Sequence, residues 1–244
     1  MGTFQILLLF LIPLVFCGYG FAGPSENKIT SPENECVILL HGLARTRNSM
    51  GAMEKALSRE GYRVVNMEYP SRKFGIEKLA NDTISKALIQ CQAFFPKRIH
   101  FVTHSLGGIL VRQYLSINQI ENLGRVVMLS PPNKGSQVVD KIGQLPGFYW
   151  LNGPAGLQLG TDGIPSKLGA VHFELGVITG NKSINFILSL LIPGEDDGKV
   201  SIDNAKVDGM SDFLVLPHSH PFIMKSEDVI HQTKYFLQHG YFEK

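Results

Sequence analysis

Six residues, Thr103-His104-Ser105-Leu106-Gly107-Gly108, constrain this chain more than any other part of it. The apolar run Ile99-His100-Phe101-Val102 before them reads as a strand, and residues 105–117 read as a helix, with almost no loop between the two. A serine on so sharp a strand-to-helix turn takes a strained backbone and lifts its hydroxyl above the end of a sheet. Small residues two before and two after it let strand and helix approach closely. Gly107 meets that need, whereas Thr103 brings a β-branched side chain. The helix N-terminus under Ser105 favours negative charge. A plain N-cap serine followed by two glycines is the bland alternative. The strand–turn–helix setting, with His104 and the glycine pair, favours Ser105 as a nucleophile.

The rest of the chain repeats the alternation. Cys36-Val37-Ile38-Leu39-Leu40 is a continuous apolar run, as expected of a strand buried on both faces of a parallel sheet. Residues 49–59 form a helical pattern with Met50, Met53, Ala56 and Leu57 on one face, and Gly61 ends it. Residues 62–67 predict a second strand. Residues 76–95 predict a long helix with Leu79, Thr83, Ala87, Ile89 and Cys91 near its inner face, and Pro96 stops it. Further strands are expected at 125–129, 171–179 and 213–216, and a closing helix at 225–238. Residues 134–168 are rich in glycine and proline, with little periodicity. Strands alternating with helices imply crossover units and a parallel sheet. Ligands of such sheets sit beyond the carboxyl ends of the strands.

Partners for Ser105 are found at those ends. An acid after a late strand and a histidine after the last one would complete the order serine, acid, histidine. Glu195-Asp196-Asp197-Gly198-Lys199-Val200 supplies the acid. Asp197 is favoured because Gly198 supplies the tight turn, with Asp196 second and Asp203 third. Leu216-Pro217-His218-Ser219-His220-Pro221-Phe222 offers His220 and His218, and His220 is favoured as the residue nearer the start of the closing helix. His104 is expected to pack beside the turn as a structural group. Acyl transfer also needs two backbone N–H groups aimed at the developing oxyanion. Leu106 supplies one, and Leu43, after His41-Gly42, supplies the other. Arg45 and Arg47 follow in the same loop, as solvated arginines or as substrate ligands.

Before Glu35 the character changes. Residues 6–16 are apolar, and Gly20, Phe21 and Ala22 give a small-x-small pattern before Gly23. Residues 1–22 read as a signal peptide, residues 23–34 as a polar linker, and residues 35–244 as the folded domain. The apolar run is short for a membrane span, and Phe16 before Cys17 argues against lipidation. The protein is therefore expected in the periplasm or outside the cell. With 44% hydrophobic and 18% charged residues and a net charge of +2, the chain is globular. It carries no basic stripe of the kind nucleic-acid binding needs.

These segments together resemble the lipase and esterase branch of the α/β-hydrolase family, including the small bacterial lipases. The marks run from Val37-Ile38-Leu39-Leu40-His41-Gly42-Leu43 through the Ser105 turn to Ser130-Pro131-Pro132-Asn133-Lys134-Gly135-Ser136, Asp196-Asp197-Gly198-Lys199-Val200 and His220-Pro221-Phe222. Thr103 departs from the family's usual glycine. The resemblance implies the α/β-hydrolase fold, a mostly parallel sheet with helices on both faces and minimal or no cap. It also implies hydrolysis of a small-molecule or lipid ester with no cofactor, and transient contact with a lipid surface is compatible with it. Acyl transfer or thioester cleavage at the same site, a peptidase, and a non-catalytic binding protein of this fold are the alternatives. In residues 144–159, Leu145, Phe148, Tyr149, Trp150, Leu151 and Leu157 are either an acyl pocket or ordinary core under a loop. In this fold the strand opening at Cys36 lies between its two successors and is crossed by the helix carrying Cys91. The two cysteines are then either bridged or two buried thiols.

Overall fold

The computed structural model describes residues 1, 32–184 and 189–244. The predicted signal peptide and most of the linker lie outside the described residues. Residues from Ser31 to Lys244 form one compact unit. Its six strands are β1 (Glu35–Leu40), β2 (Arg63–Met67), β3 (Arg98–His104), β4 (Leu123–Leu129), β5 (Leu175–Gly180) and β6 (Asp212–Leu216). They pair in the order β2-β1-β3-β4-β5-β6, and every pairing is parallel.

Parallel strands need crossovers, and the helices supply them. They are α1 (Gly51–Arg59), α2 (Ile76–Gln92), α3 (Leu106–Leu115), α4 (Gln137–Ile142), α5 (Phe148–Leu157), α6 (Ile164–Lys167), α7 (Ile202–Ala205) and α8 (Glu227–His239). The central strand β1 is buried at every position because both of its faces are covered. Cys36, Ile38 and Leu40 pack with residues of α2 and α3. Val37 and Leu39 pack on the other side with Met53 and Leu57 of α1 and Phe236 and Leu237 of α8. Alternation along the strand thus splits one apolar run between two cores.

Several local expectations are corrected. The helix α2 ends at Gln92, not at 95, and Phe95 takes a positive φ of 51°. Its buried stripe runs Ile76, Leu79, Ala80, Thr83, Ile84, Ala87, Cys91. Ile89, expected near that face, is 67% exposed. Two residues along a helix are about 200° apart, which sends it to the opposite side from Ala87 and Cys91. The strand β5 starts at Leu175 rather than 171, because the Val171 N–H is taken by the Asp208 carbonyl outside the sheet. Residues 134–168, which lack periodicity, hold three short helices. Cys36 in β1 and Cys91 in the last turn of α2 are joined by a disulfide, with their Cα atoms 5.8 Å apart across 55 residues of sequence.

Candidate active site

The strand order reverses direction between β1 and β3, and the chains leaving their carboxyl ends define the site. Ser105 sits between β3 and α3 with φ 51° and ψ −118°, a conformation uncommon for any residue but glycine. The turn is possible because Gly107 has no side chain. A Cβ there would lie 2.7 Å from the Leu40 carbonyl oxygen and 2.9 Å from the Leu40 Cβ. Thr103 is accommodated inside the sheet, paired with Leu40 and Met128 and fully buried. Its hydroxyl has no hydrogen-bond partner among the described residues.

His220 follows β6 and Asp197 follows β5, and both come to Ser105. The His220 Nε2 lies 3.1 Å from the Ser105 Oγ, and the His220 Nδ1 lies 2.8 Å from the Asp197 Oδ2. Asp197 is fixed by its own turn. Gly198 adopts φ 100°, and the backbone N–H groups of Lys199 and Val200 donate to the Asp197 Oδ1 at 3.0 and 2.9 Å. The backbone N–H of His220 donates to the Asp197 carbonyl at 2.9 Å, so the two residues are tied through backbone as well as side chain. Asp197 is fully buried, which by itself would raise its pKa. The charge and hydrogen bond of His220, the facing Ser130 hydroxyl and the Val200 N–H outweigh burial and hold it below the ordinary value.

The other candidates lie elsewhere. Asp196 accepts from the Gly198 N–H at 2.6 Å and from the Ser189 hydroxyl at 2.8 Å, which stiffens the turn. Asp203 pairs with Lys206 on the surface. The His218 Nε2 faces the Asp228 carboxylate at 2.7 Å. His104 is buried and donates from Nε2 to the His220 carbonyl at 3.0 Å. Burial, and then the charge of His220, push its pKa well below the ordinary value.

The backbone N–H of Leu106 opens α3, where helical donors lack intrahelical acceptors. Leu43 lies on the loop after β1, one residue past Gly42. That loop runs against the serine turn, since a Cβ on Gly42 would stand 2.7 Å from the His104 Nδ1 and 3.3 Å from the Ser105 Cβ. Neither N–H has an acceptor among the described residues. Tyr69, beyond β2, stacks on His41 with ring centroids 4.0 Å apart and donates to the His41 carbonyl, which pins the start of this loop.

Ser105, His104 and His220 open onto a cleft of about 630 Å³, open solvent at its mouth included. Val138, Val139, Phe148, Leu159 and Val200 give it an apolar lining. Of the apolar residues expected in 144–159, only Phe148 reaches the cleft; Leu145, Tyr149, Trp150, Leu151 and Leu157 are exposed. Arg45 and Lys199 also line it, whereas Arg47 lies in a separate hollow with Glu54 and Lys55. The place of Lys199 was missed in the sequence, where it stood only as a neighbour of the acid. No local pattern says which way a turn residue faces.

No family model matches the sequence, and no curated protein matches it. Solved structures do. The mature form of a Bacillus licheniformis lipase superposes with a TM-score of 0.68 at 19% identity, over 85% of this chain and 93% of that one. A metagenomic carboxyl esterase gives a TM-score of 0.59 at 18% identity, over 83% of this chain and 70% of that one. A phospholipase from Legionella pneumophila, in complex with thio-NAD, gives a TM-score of 0.65 at 19% identity. There the match covers 83% of this chain and 57% of the phospholipase. These likenesses fix the architecture: the chain has the α/β-hydrolase fold.

Proposed function

We propose that this chain of α/β-hydrolase fold is an exported serine hydrolase that cleaves carboxylic esters through an acyl-enzyme on Ser105. The observation that carries the reading is the strained Ser105 with its hydroxyl 3.1 Å from a histidine that a buried carboxylate holds in place. The Asp197 carboxylate keeps the imidazole proton on the Nδ1 of His220, which leaves Nε2 free to accept the Ser105 proton. The Ser105 Oγ then attacks the ester carbonyl, and the backbone N–H groups of Leu43 and Leu106 hold the oxyanion. The imidazolium returns its proton to the leaving alcohol as the C–O bond breaks. Water, deprotonated by the same nitrogen, releases the acid and restores the serine.

The apolar cleft supports small-molecule or lipid esters as substrates. Exposed Tyr149, Trp150 and Leu151 on α5, the helix that sends Phe148 to the cleft, support transient contact with a lipid surface. The apolar run before Gly23 supports removal of residues 1–22 on export, and the Cys36–Cys91 bridge agrees with an oxidising destination. The test is a panel of nitrophenyl esters from acetate to palmitate, run on wild type and Ser105→Ala. Wild type turns over part of the series, and the variant loses about a million-fold in turnover while its circular dichroism is unchanged. A variant that keeps more than a trace of activity places the nucleophile elsewhere.

A further inference from the structure

Two cations of different origin meet in the cleft of Ser105. Arg45 comes from the loop after β1 and Lys199 from the turn that carries Asp197, and both line the space beside Ser105, His104 and His220. Neither forms an ion pair among the described residues, although the chain has 21 acidic residues to draw on. Lys199 is crowded by protein on most sides yet open to solvent. That crowding and then the charge of Arg45 lower its pKa, with Asp197 opposing them. The Asp197 carboxylate is already engaged by His220 and by two backbone N–H groups. Both cations also act on His104, immediately before the nucleophile. The arrangement is not a general feature of a basic loop, since Arg47, two residues after Arg45, lies outside the cleft.

Two like charges at one apolar-lined opening, neither ion-paired among the described residues and with the nearby Asp197 already engaged by His220, repel each other, and a bound anion relieves that repulsion. Arg45 offers a planar fork that matches a carboxylate or phosphate, and Lys199 offers a compact ammonium. A substrate group in this space lies next to Ser105, so it belongs to the same molecule as the scissile ester. We infer that the preferred ester carries an anionic group, a carboxylate or a phosphate, which Arg45 and Lys199 hold beside the reacting carbonyl. The inference rests on the reading of Ser105 as an ester-cleaving nucleophile. The chemistry is unchanged: water adds across the acyl C–O bond, and the anion is a handle that takes no part in the step.

The test compares kcat/KM within two matched pairs. Nitrophenyl butyrate against mono-nitrophenyl glutarate tests a carboxylate. Dibutyrylglycerol against dibutyryl phosphatidic acid tests a phosphate. Wild type is expected to favour the anionic member of at least one pair by tenfold or more, and the favoured pair identifies the anion. Arg45→Gln with Lys199→Gln should bring that ratio close to one, whereas Arg47→Gln should leave it unchanged. Equal rates within both pairs for wild type, or a preference that survives the double substitution, overturns the inference. The parent reading fails separately: there wild type hydrolyses none of the four esters, or Ser105→Ala hydrolyses them as well as wild type, and this inference falls with it.

Discussion

His104 donates from its Nε2 to the backbone carbonyl of His220 at 3.0 Å, so the residue before Ser105 also clamps the loop that carries His220. The clamp works with a neutral ring, which burial enforces.

That neutrality has a consequence for stability. In the unfolded chain His104 regains a pKa near 6.5, so below about pH 6.5 the unfolded state binds a proton that the folded state does not. Stability contributed by the neutral ring is therefore complete above pH 6.5 and falls as the pH drops, by about 1.4 kcal/mol per unit. His104→Gln keeps an N–H for the His220 carbonyl and removes the titration. Urea unfolding at pH 7.5 and 5.5 should show wild type losing more stability than the variant over that interval. An equal loss in both proteins would mean that His104 carries its proton in the fold.

Of the two histidines in the loop between β6 and α8, His220 faces Ser105 and His218 does not. His220→Ala should lose as much activity as Ser105→Ala, about a million-fold, because serine and base act as a unit and their effects do not add. His218 is bonded to Asp228 and to the Ser226 hydroxyl. His218→Ala should keep activity within about threefold of wild type, a small surface effect. Initial rates on a short nitrophenyl ester compare the two, and a collapse at position 218 would move the base.

The adjacent aspartates should separate as cleanly. Asp197→Asn leaves the geometry but offers His220 the wrong partner, and turnover should fall by about ten-thousand-fold through the wrong imidazole tautomer. Asp196 only accepts hydrogen bonds from the Gly198 N–H and the Ser189 hydroxyl. An asparagine oxygen can do the same, so Asp196→Asn should lose less than tenfold. Single-turnover rates for both variants check this, and equal losses would remove Asp197 from its role.

Ser105 and Leu43 were legible because each lies just past a strand buried along nearly its whole length, whereas His220 follows the half-buried β6 and Asp197 lies well beyond the end of β5. In a parallel sheet covered on both faces buried strands are continuous apolar runs, and β1, β3 and β4 stand out for that reason. The serine turn is legible because Gly107 answers a contact with Leu40 that no other residue permits. The helices α4 to α6 were not legible. The α5 helix contains Gly153, at φ 66°, and Pro154, so packing rather than propensity holds it. Ile89 follows Ala87 and Leu88 near the end of α2, where consecutive apolar residues blur the face on which each one lies. Lys199 was overlooked as a cleft residue because its position depends on how the turn around Gly198 folds back across the end of the sheet.

The disulfide gives the remaining prediction. Cys36 and Cys91 are fully buried, one on the central strand and the other on the helix that crosses it. Bridging them closes a loop of 55 residues, which in the chain-entropy model restricts the unfolded state enough to add about 4 kcal/mol. Protein unfolded without reductant and treated with iodoacetamide should leave both cysteines unlabelled in the peptide map, with labelling only after reduction. The doubly substituted Cys36→Ala, Cys91→Ala protein should fold to the same circular dichroism spectrum but unfold at a lower urea concentration, because its unfolded chain is no longer restrained. Free thiols at positions 36 and 91 before reduction would mean that the two sulfurs pack as small apolar groups, and the double variant would then lose only the packing of two thiols.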